Sequence, residues 1–437
     1  MAMFTRRSRI RVSKNPQTGV RTPLSRTPGT RSSPPELFPL APVCRRMDEL
    51  ESLTRDLVTT PAHDDETAVG DRIESWLREH TDATVERDDA PNGGNIVARR
   101  GPGDETSDGD DASDAPSLAF VGHHDVVPPA DDQLADDGTY RVRSEGGRLH
   151  GRGTADMTGA LAAMLLAFRD VHESPGSRGT SRDSANSGEA DPPNTLIFAS
   201  FVGEERGGIG ARHAIQRGFA PDYAVVGEGS TGYSAPGTVD VAVAHKGRRA
   251  STLRASGTAA HAGEPEKGTN AVYRACDAVD VVRDLDVPET EVLGHPLAGS
   301  LVVTGIDGGD AWNVVPDACE VTIDERTVPG ERGALDRATE IEGIAWDVEQ
   351  DLPPMACDDA AFADAAVDAV AGAQAGKPEQ VVKPHATDAG WLADAGTTCV
   401  VCGPAEPGEA HTGTESVSLD ALRTCRDAYT AIAERWP

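Results

Sequence analysis

Five short stretches of this chain share one form: an apolar run, a turn, then a histidine or carboxylate. They are Leu118-Ala119-Phe120-Val121-Gly122-His123-His124-Asp125, Gly151-Arg152-Gly153-Thr154-Ala155-Asp156, Ile197-Phe198-Ala199-Ser200-Phe201-Val202-Gly203-Glu204-Glu205, Tyr223-Ala224-Val225-Val226-Gly227-Glu228 and Pro407-Gly408-Glu409-Ala410-His411. In an open α/β sheet, polar residues just past the carboxyl ends of strands converge on one crevice. Two histidines and three carboxylates gathered there suit a pair of first-row divalent metals, because imidazole and carboxylate both ligate Zn²⁺.

Each stretch alone has an ordinary explanation. His123-x-Asp125 fits a ligand imidazole held by a carboxylate, which fixes its tautomer and raises its basicity. Alone the pattern is weak, and a core histidine with a satisfied ring is its default reading. Asp156 has the sequence position of a helix N-cap, and Glu204-Glu205 could be a solvated acidic pair. The signal lies in the set, all arriving after apolar runs with glycine beside them.

The elements that would position these groups alternate along the chain. Leu50, Leu53 and Leu57 share one face of a first helix, and Val69, Ile73, Trp76 and Leu77 one face of a second. Strands are predicted at Asn95–Ala98, Ser117–Val121, Leu196–Val202 and Tyr223–Val226, with helices at Thr158–Phe168 and Ile209–Arg217. This order predicts an α/β fold: a mostly parallel sheet covered by helices on both faces. An acidic linker, Gly101–Pro116, and a Ser/Gly/Asp/Arg-rich stretch, His172–Asn194, read as additions without core residues. From Val241 the pattern changes to β-α-β-β-α. Val241–Lys246 and Ser251–Ala255 are expected to pair, followed by helix Ala271–Leu285, strands Ser300–Thr304 and Glu320–Glu325, and a short helix Ala334–Ile341. This resembles a split βαβ, ferredoxin-like unit. We read residues 241–351 as an inserted α+β domain between two parts of a catalytic domain, 47–240 and 352–437. The insertion would bring His411 back to the other four stretches.

Composition narrows the partners. The net charge is −31, yet residues 1–46 carry ten basic residues against the single acid Glu36. That segment reads as a disordered basic extension, or as a misassigned start with Met47 as initiator; Arg6-Arg7 lacks the apolar run of a twin-arginine signal. The body keeps 31 basic and 71 acidic residues. Such a surface repels nucleic acid and anionic membranes. With five lysines and 4% aromatic residues, it suggests a protein of a high-salt cytoplasm, the alternative being an ordinary acidic enzyme. No apolar run reaches the roughly 18 residues of a transmembrane helix. The seven cysteines form no framework, which agrees with a reducing compartment. Cys399-Val400-Val401-Cys402 lies in an apolar run, where residues three apart face opposite sides of a strand, so structural cysteines are expected.

With these residues laid out, a resemblance is evident. Gly122-His-His-Asp-Val-Val-Pro128, Gly151-Arg-Gly-Thr-Ala-Asp156-Met, Phe201-Val-Gly-Glu-Glu205, Gly227-Glu228 and His411-Thr412 resemble the M20 family of metallopeptidases and deacylases. That family includes succinyl-diaminopimelate desuccinylase, acetylornithine deacetylase and glutamate carboxypeptidases. The resemblance spans about Met47 to Pro437. It implies a zinc-peptidase-type catalytic domain with two divalent metals, Zn²⁺ or Co²⁺, and an inserted lid domain that dimerises. By position, His123 and Glu228 resemble ligands of one metal, Glu205 and His411 of the other, with Asp156 bridging. Glu204 is similar to the general base and Asp125 to the carboxylate orienting His123. In the insert, His261 of Gly257-Thr-Ala-Ala-His261 resembles the oxyanion donor, often supplied by the partner subunit. Asn313 and Arg326 are similar to the substrate-carboxylate clamp, a surface ion pair being the other reading of Arg326. Thr158 and Gly203 depart from residues common in the family, without removing a ligand.

The expected function is a cytoplasmic two-metal amide hydrolase releasing an amino acid or diamino acid from an N-acyl precursor such as N-succinyl-diaminopimelate or N-acetylornithine. A homodimer through the insert is expected, with no nucleic-acid or membrane partner. A dipeptidase or carboxypeptidase of the same family is the second reading. A non-catalytic binding protein on the same scaffold is the alternative of another class.

Overall fold

The computed structural model describes residues 42–101, 116–173 and 195–436. The readings made for residues 1–41, for most of the acidic linker and for 174–194 lie outside the described residues. Helix Pro42–Val58 runs across Met47, where the composition changes. Leu50, Leu53 and Leu57 are buried on it, as are Val69, Ile73 and Leu77 on helix Thr67–His80.

A nine-stranded sheet organises the chain. Its order is Thr84–Arg87, Ile96–Arg100, Thr195–Phe201, Ser117–His123, Tyr223–Val226, Thr398–Val401 and Val241–His245; the last also pairs with Met355–Ala356 and Gln380–Lys383. The middle four, from Thr195–Phe201 to Thr398–Val401, run parallel. Antiparallel pairs occur towards both margins, so the sheet is mixed, parallel where it matters for the site. The strands read as near-continuous apolar runs because both faces are covered. Phe120, Phe198, Val225, Val400 and Cys402 face one core layer, and Ala119, Ala199, Phe201, Val226, Cys399 and Val401 the other. Cys399 and Cys402 are buried free thiols on opposite faces, as the period of two requires.

Helix Thr158–Glu173 extends past the expected Phe168. It packs against strands Ser117–His123 and Thr195–Phe201 and helix Leu419–Arg435. Its residues Gly159–Phe168 are all buried, which explains why the run is apolar nearly all round. Close approach at its start is accommodated by glycines in the sheet. A Cβ on Gly122 would lie 2.5 Å from Met157 Cε, and one on Gly227 would lie 2.7 Å from the same atom. The two glycines preceding His123 and Glu228 thus let the Asp156-Met157 turn settle against the strand ends.

The insert forms a four-stranded antiparallel sheet, ordered Ser300–Gly308, Ala318–Arg326, Arg248–Ser256, Ile344–Leu352, with helix Ala271–Arg283 packed on it. The chain order β-α-β-β-3₁₀-β is the ferredoxin-like arrangement, with a 3₁₀ turn, Leu335–Glu340, where a helix was expected. Two details differ from the sequence reading. Val241–His245 does not pair with the following strand; it lies in the large sheet beside Gln380–Lys383. Gly247 leaves no room for a side chain at the crossing, since a Cβ would lie 2.3 Å from the Leu352 carbonyl oxygen. Strand Ile344–Leu352 was not anticipated, although Trp346 and Val348 alternate with the acids Asp347 and Glu349.

The charge carries a stability prediction. With −31 on the chain, repulsion among carboxylates weakens as salt shortens the Debye length to about 3 Å at 1 M. The melting temperature should therefore rise between dilute and molar KCl. A scan showing no salt dependence would remove the high-salt reading.

Candidate active site

Adjacent parallel strands deliver their polar residues to one place. Ser117–His123 ends on His123; on one side Thr195–Phe201 leads to Glu204 and Glu205, and on the other Tyr223–Val226 leads to Glu228. The segment after Thr398–Val401 carries His411, and Asp156 enters on the turn before helix Thr158–Glu173. His411 holds φ at +62°, an uncommon conformation for a residue with a side chain.

Asp156 stands between two groups. Its Oδ1 lies 3.1 Å from His123 Nε2, and its Oδ2 lies 3.1 Å from His411 Nε2. Glu228 Oε1 is 3.3 Å from His123 Nε2, and Glu205 Oε1 is 2.7 Å from His411 Nε2. In each trio, His123/Asp156/Glu228 and Asp156/Glu205/His411, the candidate donor atoms lie within 4.8 Å of one another. A carboxylate presenting one oxygen to each trio has the disposition of a bridge, and two mixed nitrogen–oxygen donor sets fit two divalent cations.

The electrostatics agree with that fit. Burial opposes charge on His123, but hydrogen bonds to Asp125, Asp156 and Glu228 outweigh it and hold its pKa well above the ordinary value. Asp156 and Glu205 push His411 up to about 10. Both imidazoles sit where negative charge strongly favours a cation.

Asp125 ties the ligand loops together. Its Oδ1 is 3.2 Å from His123 Nδ1, whose other ring nitrogen faces Asp156 and Glu228. The same carboxylate accepts the backbone N–H groups of Glu204 and Glu205, at 3.0 and 3.1 Å. Glu66, which the sequence did not single out, accepts from Gly203 N at 3.0 Å and pairs with Arg206. His124 turns to the other face of the strand, where its Nδ1 meets Ser200 Oγ at 2.8 Å. Glu204 lines the cavity, and its carboxyl makes no hydrogen bond among the described residues. Burial, with Glu228, Asp388 and Glu205 nearby, raises its pKa well above the usual carboxylate range.

Asp156, Glu204, Glu205 and Glu228 line a cavity of about 580 Å³ together with the basic residues Arg248, Arg326, Lys383 and His385. Asp324 steadies two of them, accepting from Arg326 Nε at 2.7 Å and from Arg248 Nε at 2.8 Å. Arg326 therefore has its ion pair and still faces the cavity. Lys383 is buried with its Nζ 3.9 Å from Glu228 Oε2. Sequence analysis missed it, although a rare lysine closing the run Gln380-Val381-Val382 was a usable signal. Asp388 is likewise a buried carboxyl without a partner among the described residues.

His261 and Asn313 are brought to each other, not to the metal-ligand candidates. Ala260–His261 pairs with Val314–Val315, and Ala262 N donates to the Asn313 carbonyl oxygen at 2.9 Å. Both side chains are exposed and neither lines the cavity. Trp312 beside them is fully exposed.

Comparison with known proteins places this geometry. The model of peptidase family M20/M25/M40 matches residues 119–435, and the chain belongs to that family. Over 221 residues the chain is 29% identical to acetylornithine deacetylase of Proteus mirabilis (strain HI4320), a match covering 49% of this chain and 50% of that protein. The chain thus aligns with about half the length of this curated relative. Aminopeptidase PepT from Bacillus cereus ATCC 10987 has a similar fold, with a TM-score of 0.68, 20% identity, and coverage of 89% of this chain and 98% of that one. A dinuclear metal-binding peptidase of the M20 family, the YXEP protein of Bacillus subtilis, superposes with a TM-score of 0.59 and 17% identity, covering 90% and 98%. No helix among the described residues is long and apolar enough to cross a membrane.

Proposed function

We propose that the chain is a two-metal amide hydrolase, cytoplasmic, that releases an amino acid or diamino acid from an N-acyl precursor of the N-succinyl-diaminopimelate or N-acetylornithine type. The observation that carries this reading is Asp156, which offers one oxygen to each trio while Glu204 stands beside them with no hydrogen bond to its carboxyl among the described residues. His123 and Glu228 would hold one ion and Glu205 and His411 the other, with Asp156 shared between the two groups; Zn²⁺ is the leading candidate and Co²⁺ an alternative. When bound, such ions polarise an amide carbonyl and lower the pKa of water.

The remaining chemistry belongs to the chain. Glu204 takes the proton of the attacking water on its carboxylate and passes it to the leaving amide nitrogen. Asp125 keeps His123 in the tautomer that leaves Nε2 available. Arg326 binds a substrate carboxylate, a role suited to its planar fork of donors. Acetylornithine deacetylase as a relative supports a small N-acyl amino acid. The fold's likeness to an aminopeptidase keeps short peptides as the second reading. A turnover screen of N-succinyl-diaminopimelate, N-acetylornithine and dipeptides in high salt separates the two. Binding without turnover of any of them would instead favour a non-catalytic scaffold.

His261 and Asn313 complete the site of a second copy, through a homodimer formed by the insert. Strand Ser300–Gly308 lies at the edge of its sheet and exposes Val302 and Ile306. In this reading, His261→Ala lowers kcat by roughly 10²-fold, as for loss of an oxyanion donor, with metal content unchanged. Mixing inactive His261→Ala with inactive Glu204→Gln under subunit exchange should restore activity, because one site in each mixed dimer keeps both residues. If exchange is confirmed and activity stays absent, His261 does not serve a partner.

A further inference from the structure

We infer that Glu415 and Arg152 are positioning residues for the metal centre: their buried ion pair fixes Asp156 and holds three ligand-bearing loops in one register. The inference rests on the two-metal reading of the site. Glu415 and Arg152 are buried at 1% and 3% exposure, and neither lines the cavity. Arg152 Nη1 pairs with Glu415 Oε2. The other oxygen, Oε1, accepts the backbone N–H groups of Ala155 at 3.0 Å and Asp156 at 3.3 Å. Those two bonds set the direction of the turn from which the bridging carboxylate projects.

The pair also reaches the neighbouring loops. Arg152 Nη2 donates to the Pro128 carbonyl oxygen at 3.3 Å, in the loop that leaves His123 and Asp125. Glu415 itself follows His411, and its carbonyl oxygen accepts from Gly151 N at 3.1 Å. The next residues, Ser416–Ser418, pair with Arg148–His150. The His411 loop is thereby joined to the Asp156 turn through side chain and backbone together.

A buried ion pair is a poor source of stability, because desolvating two charges offsets their attraction. What this pair supplies is a fixed direction for the polar groups it touches. Its loss should fall unequally on the two trios. His123 and Glu228 sit at or next to the ends of paired strands, whereas the Asp156/Glu205/His411 trio needs both the Asp156 turn and the His411 loop in place.

The test is titration of the metal-stripped full-length chain with Co²⁺, followed by calorimetry and visible absorption. In Glu415→Gln and Glu415→Ala the first ion should bind within about threefold of wild type. The second should weaken by at least about tenfold, the size typical of outer-shell ligand partners. Glu415→Ala should be the worse, since a glutamine oxygen can still accept from Ala155 and Asp156. Val370→Ala, in the core of helix Ala360–Ala373, is the stability control; it should lower the melting temperature and leave both ions bound as in wild type. If folded Glu415→Ala binds the second ion as tightly as wild type, the inference is wrong. It is equally wrong if both Glu415 variants lose the two ions in step with stability, or fail to fold. Fewer than two ions on the wild-type chain would overturn the two-metal reading itself, which is a separate failure.

Discussion

Glu204→Gln should retain both metals and the fold while kcat falls by at least about 10²-fold, the scale of a lost general base. The amide fills the space of the carboxyl but accepts no proton. The geometry explains why the effect should be specific to Glu204. The backbone N–H groups of both glutamates donate to Asp125, so the turn is fixed and the two side chains diverge. Glu205 goes to His411; Glu204 faces the cavity, where burial raises its pKa and so its basicity. Glu205→Gln should accordingly release metal first and lose activity as a consequence. Elemental analysis beside steady-state kinetics on the two variants decides the matter. Identical behaviour of the pair would refute the division of roles.

Removing the ions should be as severe. A chelator is expected to abolish turnover, and about two equivalents of Zn²⁺ or Co²⁺ per chain to restore it. His411→Ala should lose the ion of the Asp156/Glu205/His411 trio before the other. That trio would keep only two carboxylates, one of them shared, while His123, Asp156 and Glu228 remain intact. His411 is also the more exposed imidazole: its side chain is 51% exposed against 2% for His123, so water already competes there. A preparation fully active without metal would sink the functional reading as a whole.

Much of this centre was legible in the chain because strand ends are local events. An apolar run closed by glycine and followed by an acid or histidine states both where a strand stops and what stands at its end. Parallel strands then bring such ends together. Hence His123, Glu204, Glu205 and Glu228 could be picked out beforehand, and glycines 122 and 227 lie where the Met157 methyl packs closely against the strands. The same locality explains why three of the insert's four strands, and its long helix, show in the hydrophobic period while Ile344–Leu352 does not.

What the sequence could not decide were matters of partnership across long separations. Val241–His245 has the composition of a buried strand and would serve either sheet; only pairing with Gln380–Lys383 and Thr398–Val401 assigns it to the larger one. Glu415 carries no local mark of its place beside the Asp156 turn, because it matters through what the fold sets opposite it; Lys383 offered only its rarity. The reverse holds for His261 and Asn313, whose motif points to the centre while a single chain keeps them away from it. Residue type and short-range period determined the strands, the turns and the chemical class of the ligands. Which oxygen of Asp156 faces which histidine, and which buried charge holds that turn, was decided only by tertiary contacts, because those depend on loops more than two hundred residues apart meeting past the ends of the central strands.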